Sequence, residues 1–315
     1  FTFEYKNDIN ALHMQLQILG CHSASPAPDA NPTSQVLTIR NHQFLIDCGE
    51  GSQVRMRRNK IKFSRIKHVF ISHLHGDHFY GLIGFISTQC LLKRESDLHI
   101  YGPKGVKEII LLQLKLSKVY TSYQLYFHEL TSNEPQLIFE DEQVKVSTIP
   151  LIHRIYTNGY LFQEKTGERK LNIDAAQQYP IDTAYYNSIK QGKDIQLDDG
   201  RVIDNEILTF PPDKPLSYAF CSDTKFKPDI IPQISEVDLL YHESTFLEDN
   251  EGLCEVTKHS TAKQAATIAQ RANAGKLVLG HFSSRYKHLK RFEEEAQTVF
   301  SNSEIAETGK VFEVE

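Results

Sequence analysis

Three histidines and an aspartate lie within six residues of this sequence, in the segment His73-Leu74-His75-Gly76-Asp77-His78. The apolar residues just before the segment predict a buried strand. Imidazoles at positions i and i+2 of a strand end project to the same side, so those of His73 and His75 can reach one cation. Gly76 permits a sharp turn, after which Asp77 and His78 point back toward a second position nearby. Imidazole and carboxylate ligands without cysteine suit zinc or a similar divalent metal, whereas a chance gathering of solvated histidines is the alternative interpretation.

Further candidate ligands follow later apolar runs of the chain. His153, Asp223 and His281 each come directly after a run that we interpret as a strand. Active sites of α/β folds collect residues at the carboxyl ends of their strands. Taken alone, each of these three would be a loop residue or a helix cap. Together with the first segment they supply the number of ligands that two metal ions require.

The elements that position these residues alternate between strands and helices. We predict strands at residues 13–19, 35–40, 43–48, 67–72, 144–149, 159–162, 216–221, 237–241 and 276–279, and helices at 81–93, 104–118, 262–272 and 289–300. Thr261 and Gln264 form a predicted capping box at the start of the third helix. Residues 164–215 are polar and poor in periodic pattern, so we interpret them as an arm or loosely structured insertion in a single α/β domain of 315 residues.

Composition restricts the surroundings of the protein. No apolar run approaches the roughly 18 residues that a membrane helix requires, so we expect no membrane partner. The five cysteines are odd in number and widely scattered, which favours a reducing compartment and a cytoplasmic location. The net charge is −5, yet residues 55–67 contain seven basic and no acidic residues. Such a run is either a solvated face or a surface that binds phosphate groups.

Several motifs carry a resemblance to a known family. The segment at 73–78 with a later histidine, a single aspartate and a final histidine resembles the metallo-β-lactamase superfamily. The finer resemblance is to the ribonuclease Z family of tRNA 3′-processing endonucleases. It rests on residues 19–20 (Leu-Gly), 23–26 (Ser-Ala-Ser-Pro), 45–53 (Leu-Ile-Asp-Cys-Gly-Glu-Gly-Ser-Gln), 221–224 (Cys-Ser-Asp-Thr), 241–246 (Tyr-His-Glu-Ser-Thr-Phe), 259–261 (His-Ser-Thr) and 280–286 (Gly-His-Phe-Ser-Ser-Arg-Tyr). These motifs keep their order nearly from end to end.

The resemblance implies a fold, a cofactor and a substrate. The fold would be the αββα sandwich of the metallo-β-lactamases, two packed mixed sheets flanked by helices, with a protruding arm at about 164–215. The cofactor would be two Zn²⁺ per chain, with Mn²⁺ or Fe²⁺ as alternatives. One ion would be held by His73, His75 and His153 and the other by Asp77, His78 and His281, with Asp223 bridging them. The partners would be precursor tRNA and, since the family commonly forms homodimers, a second copy of the chain.

Two features depart from the family pattern. The tip of the family's tRNA-gripping arm is usually rich in Gly and Pro, whereas residues 177–183 read Gln-Gln-Tyr-Pro-Ile-Asp-Thr. The usual Gly before the bridging aspartate is replaced by Ser222. The first departure concerns the grip on tRNA and not the chemistry.

The expected reaction is hydrolysis of a phosphodiester by metal-activated hydroxide, which leaves a tRNA 3′-hydroxyl and a 5′-phosphorylated trailer. Asp77 is the candidate to orient or deprotonate the attacking water. His259 is the candidate proton donor to the leaving alkoxide, with Glu243 offsetting the helix amino terminus that disfavours an imidazolium there. The alternative is that His259 only leads into the helix and Glu243 is a surface acid. Candidate substrate contacts are Arg55, Arg57, Arg58, Lys60 and Arg285.

Two other functions share these ligands. A small-molecule hydrolase of the same fold, acting on a cyclic nucleotide, sulfate ester or lactone, would need neither the basic run nor the polar arm. A non-catalytic RNA-binding relative would usually lose ligands, and this chain has all of them.

Overall fold

Two seven-stranded sheets form the framework of the chain in the computed structural model, which describes residues 14–25 and 30–314. With strands numbered along the chain, the first sheet contains β1 (Met14–Gly20), β2 (Ser34–Ile39), β3 (His42–Cys48), β4 (Ile66–Phe70), β5 (Leu98–Pro103), β6 (Leu125–Leu130) and β18 (Val311–Val314). The second contains β7 (Leu137–Glu140), β8 (Val144–Pro150), β9 (Asn158–Glu164), β14 (Ser217–Cys221), β15 (Leu239–Glu243), β16 (Lys276–Gly280) and β17 (Ser303–Ile305). Both sheets are mixed: β3 to β6 and β14 to β17 run parallel, whereas β1–β2 and β9–β14 pair antiparallel.

The core lies between the inner faces of the two sheets. The rings of Phe44 and Phe70 in the first sheet pack against Phe162 of the second, with centroids 5.4 and 5.2 Å apart. All three side chains are fully buried, and each such burial contributes about 1.5–3 kcal/mol of transfer free energy. These contacts hold the two sheets face to face.

Helices cover the outer faces of the sheets. On the first sheet lie α1 (Ser52–Arg58), α2 (Gly76–Leu91) and α3 (Val106–Leu116), whose apolar residues share a cluster with Leu45 and Val69. On the second lie α8 (Ala262–Arg271) and α9 (Lys290–Gln297), preceded by the short α7 (Cys254–Thr257). The predicted capping box of Thr261 and Gln264 is confirmed, with both of its hydrogen bonds present. The predicted αββα arrangement of two mixed sheets flanked by helices is confirmed.

Residues 141–143 and 164–215 form a second compact unit. It contains β10 (Lys170–Leu171) paired with β13 (Thr209–Phe210), β11 (Ile195–Gln196) paired with β12 (Val202–Ile203), and the short helices α4 (Ile173–Gln177), α5 (Tyr186–Lys190) and α6 (Asn205–Leu208). Ile189, Ile195, Leu197, Ile203 and Leu208 form its apolar cluster. The expectation of a loosely structured segment therefore needs correction, because a small core orders it. Its role as an arm stays a prediction.

Three further expectations from the sequence concern the first strand and its neighbouring motif, a membrane helix, and the cysteines. His13 of the first predicted strand and Pro26 of the motif at 23–26 lie outside the described residues. Among the residues that the structure describes, no helix is long and apolar enough to cross a membrane. All five cysteines are free thiols, as expected from their spacing.

Candidate metal centre

The candidate ligands lie at one edge of the two sheets because they follow the carboxyl ends of neighbouring strands. His73, His75, Asp77 and His78 follow β4, and His153 follows β8. In the second sheet, the parallel register pairs Cys221 with His242 and Glu243 with Gly280, so that β14, β15 and β16 end side by side. Asp223 is the second residue after β14, and His281 is the first residue after β16. The structure therefore brings together all seven metal ligands that the sequence and the resemblance suggested.

The first group of ligand atoms comes from three imidazoles and one carboxylate. Nδ1 of His75 lies 3.0 Å from Nε2 of His73 and 3.2 Å from Nε2 of His153. Oδ2 of Asp223 lies 3.5 and 3.7 Å from the Nε2 atoms of His73 and His153. The four atoms lie within 4.8 Å of one another, which is the spacing of donors around a single cation.

The second group uses the other oxygen of Asp223. Oδ1 of Asp223 lies 3.2 Å from Nε2 of His78 and 3.1 Å from Nε2 of His281. Oδ2 of Asp77 lies 3.4 Å from each of these two nitrogens. Because each oxygen of Asp223 faces a different group of histidines, this carboxylate has the geometry of a bridge between two cations.

The donor set fits divalent cations. Nε2 of His78 is buried and makes no hydrogen bond among the described residues, although carboxylate oxygens surround it. The pKa of Asp223 lies well below its usual range, because the histidines His281 and His78 more than offset the effect of burial. An ionised carboxylate and converging imidazole lone pairs are what a divalent metal needs from its ligands.

Asp47 supports the second ligand group through its contact with His78, a role that was not predicted from the sequence. This fully buried aspartate accepts hydrogen bonds from the backbone N–H of Ser72 at 2.7 Å and from its hydroxyl at 2.8 Å. Its Oδ2 also lies 2.6 Å from Nδ1 of His78. A proton on that nitrogen leaves Nε2 of His78 with its lone pair toward the site, as outer partners of metal-bound histidines commonly arrange.

His259 and Glu243 form a buried pair beside the ligands. Nδ1 of His259 donates to Oε1 of Glu243 at 2.8 Å. Burial lowers the pKa of His259, but the charge of Glu243 more than offsets this and raises the pKa to about 9. The interpretation of Glu243 as a surface acid is wrong, since its side chain is fully buried. His259 offers an atom within 4.8 Å of those of Asp223 and His281, so it lies next to both ligand groups.

Backbone strain accompanies the site. Asp47, Asp223 and His281 have φ angles of 51°, 45° and 59°, in the left-handed region that non-glycine residues rarely adopt. Gly280 precedes His281, and a Cβ atom there would lie 2.1 Å from the hydroxyl of Tyr241. Such strain is typical of functional sites, where the surrounding structure enforces a ligand's direction.

The ligands open into a cavity of about 380 Å³. A basic side chain that was not singled out from the sequence also lines this cavity. Arg154 is exposed and lines this cavity together with Asp77, Asp223, His259 and His281. Its position directly after His153 was the available signal, but an arginine in a loop is common. No ion pair of Arg154 is found among the described residues.

The other candidate substrate contacts lie elsewhere. Arg57 and Lys60 line a separate cavity of about 420 Å³, and Arg58 is exposed on α1. Nε of Arg55 donates to Oδ1 of Asn31 at 2.5 Å. The guanidinium of Arg285 lies over the ring of Phe246, 5.5 Å from its centroid, and Phe246 lines the metal cavity. Among the described residues, none of these five cations lines the metal cavity itself.

Comparisons with known proteins agree with this architecture. Over 96% of the chain, it superimposes on human tRNase Z, short form, with a TM-score of 0.69 and 25% identity, covering 99% of that chain. It also superimposes on a metallo-β-lactamase fold protein from Bacillus subtilis with a TM-score of 0.66 and 20% identity, covering 96% of this chain and 99% of that chain. Residues 14–189 match the family model described as Anti-Pycsar protein Apyc1. Fold and donor set define a metallo-β-lactamase-fold protein that uses divalent metal.

The curated relatives specify the family. The chain is 48% identical over 285 residues to a ribonuclease Z of Porphyromonas gingivalis, covering 90% of this chain and 94% of the relative. It is 45% identical over 292 residues to a ribonuclease Z of Bacteroides fragilis, covering 93% and 96%. The chain belongs to the ribonuclease Z family. This membership confirms the predicted resemblance and the prediction of a metal-dependent endoribonuclease.

Proposed function

We propose that the chain removes the 3′ trailer from precursor tRNA by a single endonucleolytic cut. The observation that carries the proposal is the pair of ligand groups that share Asp223 and lie beside the buried pair of His259 and Glu243. The similarity to human tRNase Z, short form, supports tRNA as the RNA substrate. The products would be a tRNA ending in a 3′-hydroxyl and a trailer that begins with a 5′-phosphate.

Two Zn²⁺ ions are the proposed cofactors. His73, His75 and His153 would hold one, Asp77, His78 and His281 the other, and Asp223 would bridge them. Such ions lower the pKa of water and offset the negative charge of a phosphodiester. Mn²⁺ or Fe²⁺ suits the same nitrogen and oxygen donors, so metal analysis of the purified protein is the direct check.

The side chains around the ligands divide the proton transfers between them. The pKa of Asp77 lies below its usual range, since His78 and His281 more than offset the effect of burial. Its carboxylate is therefore ionised. It would either orient the attacking water or accept a proton from it. His259 carries a proton near neutral pH because its pKa is raised to about 9, and its Nε2 would donate a proton to the leaving 3′-oxygen.

Cations outside the ligand groups would bind the RNA backbone. Arg154 lies in the metal cavity, where its guanidinium can pair with a phosphate next to the scissile bond. Arg57, Arg58 and Lys60 would contact phosphates farther along the substrate, and Arg55 and Arg285 remain candidates despite their contacts with Asn31 and Phe246. Phosphate contacts of this kind position the RNA without reading its sequence.

A homodimer is the proposed assembly. Leu112 and Leu116 lie one turn apart on α3 with 52% and 73% of their surfaces exposed, and Leu91 at the end of α2 is 83% exposed. Apolar rows of this kind are typical of surfaces that a second copy covers. Leu112→Glu with Leu116→Glu should give a monomer by light scattering after gel filtration, whereas Lys115→Glu should keep the mass of the wild-type protein.

The proposed function is tested with a 3′-extended precursor tRNA and a small phosphodiester, bis(4-nitrophenyl) phosphate, assayed in parallel. A single cut near the discriminator base, with a 3′-hydroxyl on the tRNA, is the expected result, and Asp77→Ala should abolish it. Hydrolysis of the small ester without a cut in the tRNA would favour the small-molecule hydrolase. Binding of tRNA by metal-loaded protein without hydrolysis of either substrate would favour the non-catalytic relative.

A further inference from the structure

Glu243 uses its two carboxylate oxygens to bind two different parts of the site. Oε1 accepts from Nδ1 of His259 at 2.8 Å and from the backbone N–H of Thr224, the residue after the bridging aspartate, at 3.0 Å. Oε2 accepts from the backbone N–H of Thr245 at 2.9 Å and from its hydroxyl at 2.8 Å. One buried carboxylate therefore connects the candidate proton donor to Thr245.

Thr245 connects this carboxylate to a candidate metal ligand. Its Oγ1 also lies 2.9 Å from Nδ1 of His281. A hydroxyl has one proton, and the proton of Thr245 goes to Glu243 because an ionised carboxylate only accepts. The same oxygen must then accept from His281, so the proton of the His281 ring lies on Nδ1. This leaves the lone pair on Nε2, which lies 3.1 Å from Oδ1 of Asp223 and faces the second ligand group.

The imidazoles of the first group have other supports. Nδ1 of His153 lies 3.0 Å from the backbone carbonyl of Lys258, and Nδ1 of His73 lies 3.0 Å from the hydroxyl of Ser72. Neither contact involves Thr245 or Glu243. The loss of the Thr245 hydroxyl is therefore expected to disturb one ligand group and to leave the other in place.

We propose that Thr245 is a positioning residue for the second cation. Its hydroxyl fixes the tautomer and ring direction of His281, and through Glu243 it joins this ligand to His259 in one hydrogen-bond network. Partners of this kind are commonly carboxylates or carbonyls in direct contact with the histidine, whereas here a hydroxyl transmits the carboxylate's effect. The inference rests on the proposed metal centre, and its test separates the two.

The first experiment is a calorimetric titration of metal-free protein with Zn²⁺ in the presence of a competing chelator. The wild type should bind two ions. Thr245→Val, which keeps the shape and removes the hydroxyl, should bind one ion as before and the second about 10–100-fold more weakly. Thr245→Ser should restore the wild-type affinity. Thr148→Val is the matched control: Thr148 is also buried, and its hydroxyl accepts the N–H of Gln136 at 2.9 Å, so both zinc affinities should be unchanged.

The second experiment observes the His281 ring directly in the zinc-loaded protein. Nitrogen-15 NMR of labelled histidines in the zinc-loaded wild type should show the ring proton of His281 on Nδ1, and the Thr245→Ser protein should agree. Protonation of His281 on Nε2, or two unchanged zinc affinities in Thr245→Val, would overturn the role of Thr245. A wild type that binds fewer than two ions would overturn the metal centre itself and this inference with it.

Discussion

Replacement of Glu243 by Gln tests the hydrogen-bond network beside the metal ligands. The carboxylate accepts four hydrogen bonds while fully buried, two at each oxygen. An amide offers one oxygen and one NH₂ group, so the donors at one side face another donor. At least one of these is a backbone N–H, of Thr224 or Thr245, that cannot turn away. A buried donor without an acceptor costs about 1–3 kcal/mol, so we expect that loss in the free energy of unfolding.

The same variant should also cleave precursor tRNA much more slowly. Without the carboxylate, the largest effect that raises the pKa of His259 against burial is lost, so a smaller fraction of His259 is protonated and its ring is no longer held by Glu243. Proton donors of this kind contribute about 10²–10⁴-fold to a rate, so single-turnover cleavage of precursor tRNA should slow by about that factor. The measurements are urea unfolding followed by circular dichroism and cleavage at saturating enzyme.

Glu295→Gln is the matched control for this prediction. Glu295 also accepts two backbone N–H groups, from Glu248 and Lys263, at 2.9 and 3.0 Å, but it lies on α9 and does not line the metal cavity. Its variant should lose some stability and keep the cleavage rate. A Glu243→Gln protein with unchanged rate and unfolding free energy would refute the assigned hydrogen bonds.

Three further predictions concern the support of the ligands and the binding of RNA. Asp47→Asn should weaken zinc binding about 10–100-fold, because His78 loses its carboxylate partner; equal affinity in a chelator competition would contradict this. Gly280→Ala should lower the unfolding free energy by about 1–3 kcal/mol, since the new Cβ meets Tyr241, and urea unfolding measures it. Lys60→Ala should reduce the slope of log K for tRNA against log salt by about 0.7–0.9; an unchanged slope would exclude a phosphate contact there.

The strands that carry the ligands could be predicted because local pattern and tertiary environment agree. Runs such as β4 and β16 are apolar, bounded by polar residues and buried, so their carboxyl ends could be located to within a few residues. β5 and β6 were missed because each mixes apolar residues with a histidine. In addition, most residues of β6 are exposed or only half-buried, so the strand has no buried apolar run. α1 was missed because it has only seven residues and three of them are arginines.

The supporting residues of the site could not be predicted because their roles depend on contacts between distant segments. Asp47 lies in an apolar strand, and only the fold places it 2.6 Å from Nδ1 of His78, 31 residues later. The contact between Thr245 and His281 spans 36 residues. The order within residues 164–215 was underestimated for a different reason: its strands have two residues each and its helices at most five, too short for a periodic signal.

The most direct test of the two-cation centre is a crystal structure of the zinc-loaded protein with anomalous diffraction recorded at the zinc edge. We expect two peaks, one on each side of Asp223: the first among His73, His75 and His153, and the second among Asp77, His78 and His281. A single peak, or peaks away from Asp223, would contradict the two-cation centre from which the proposed cleavage of RNA is derived.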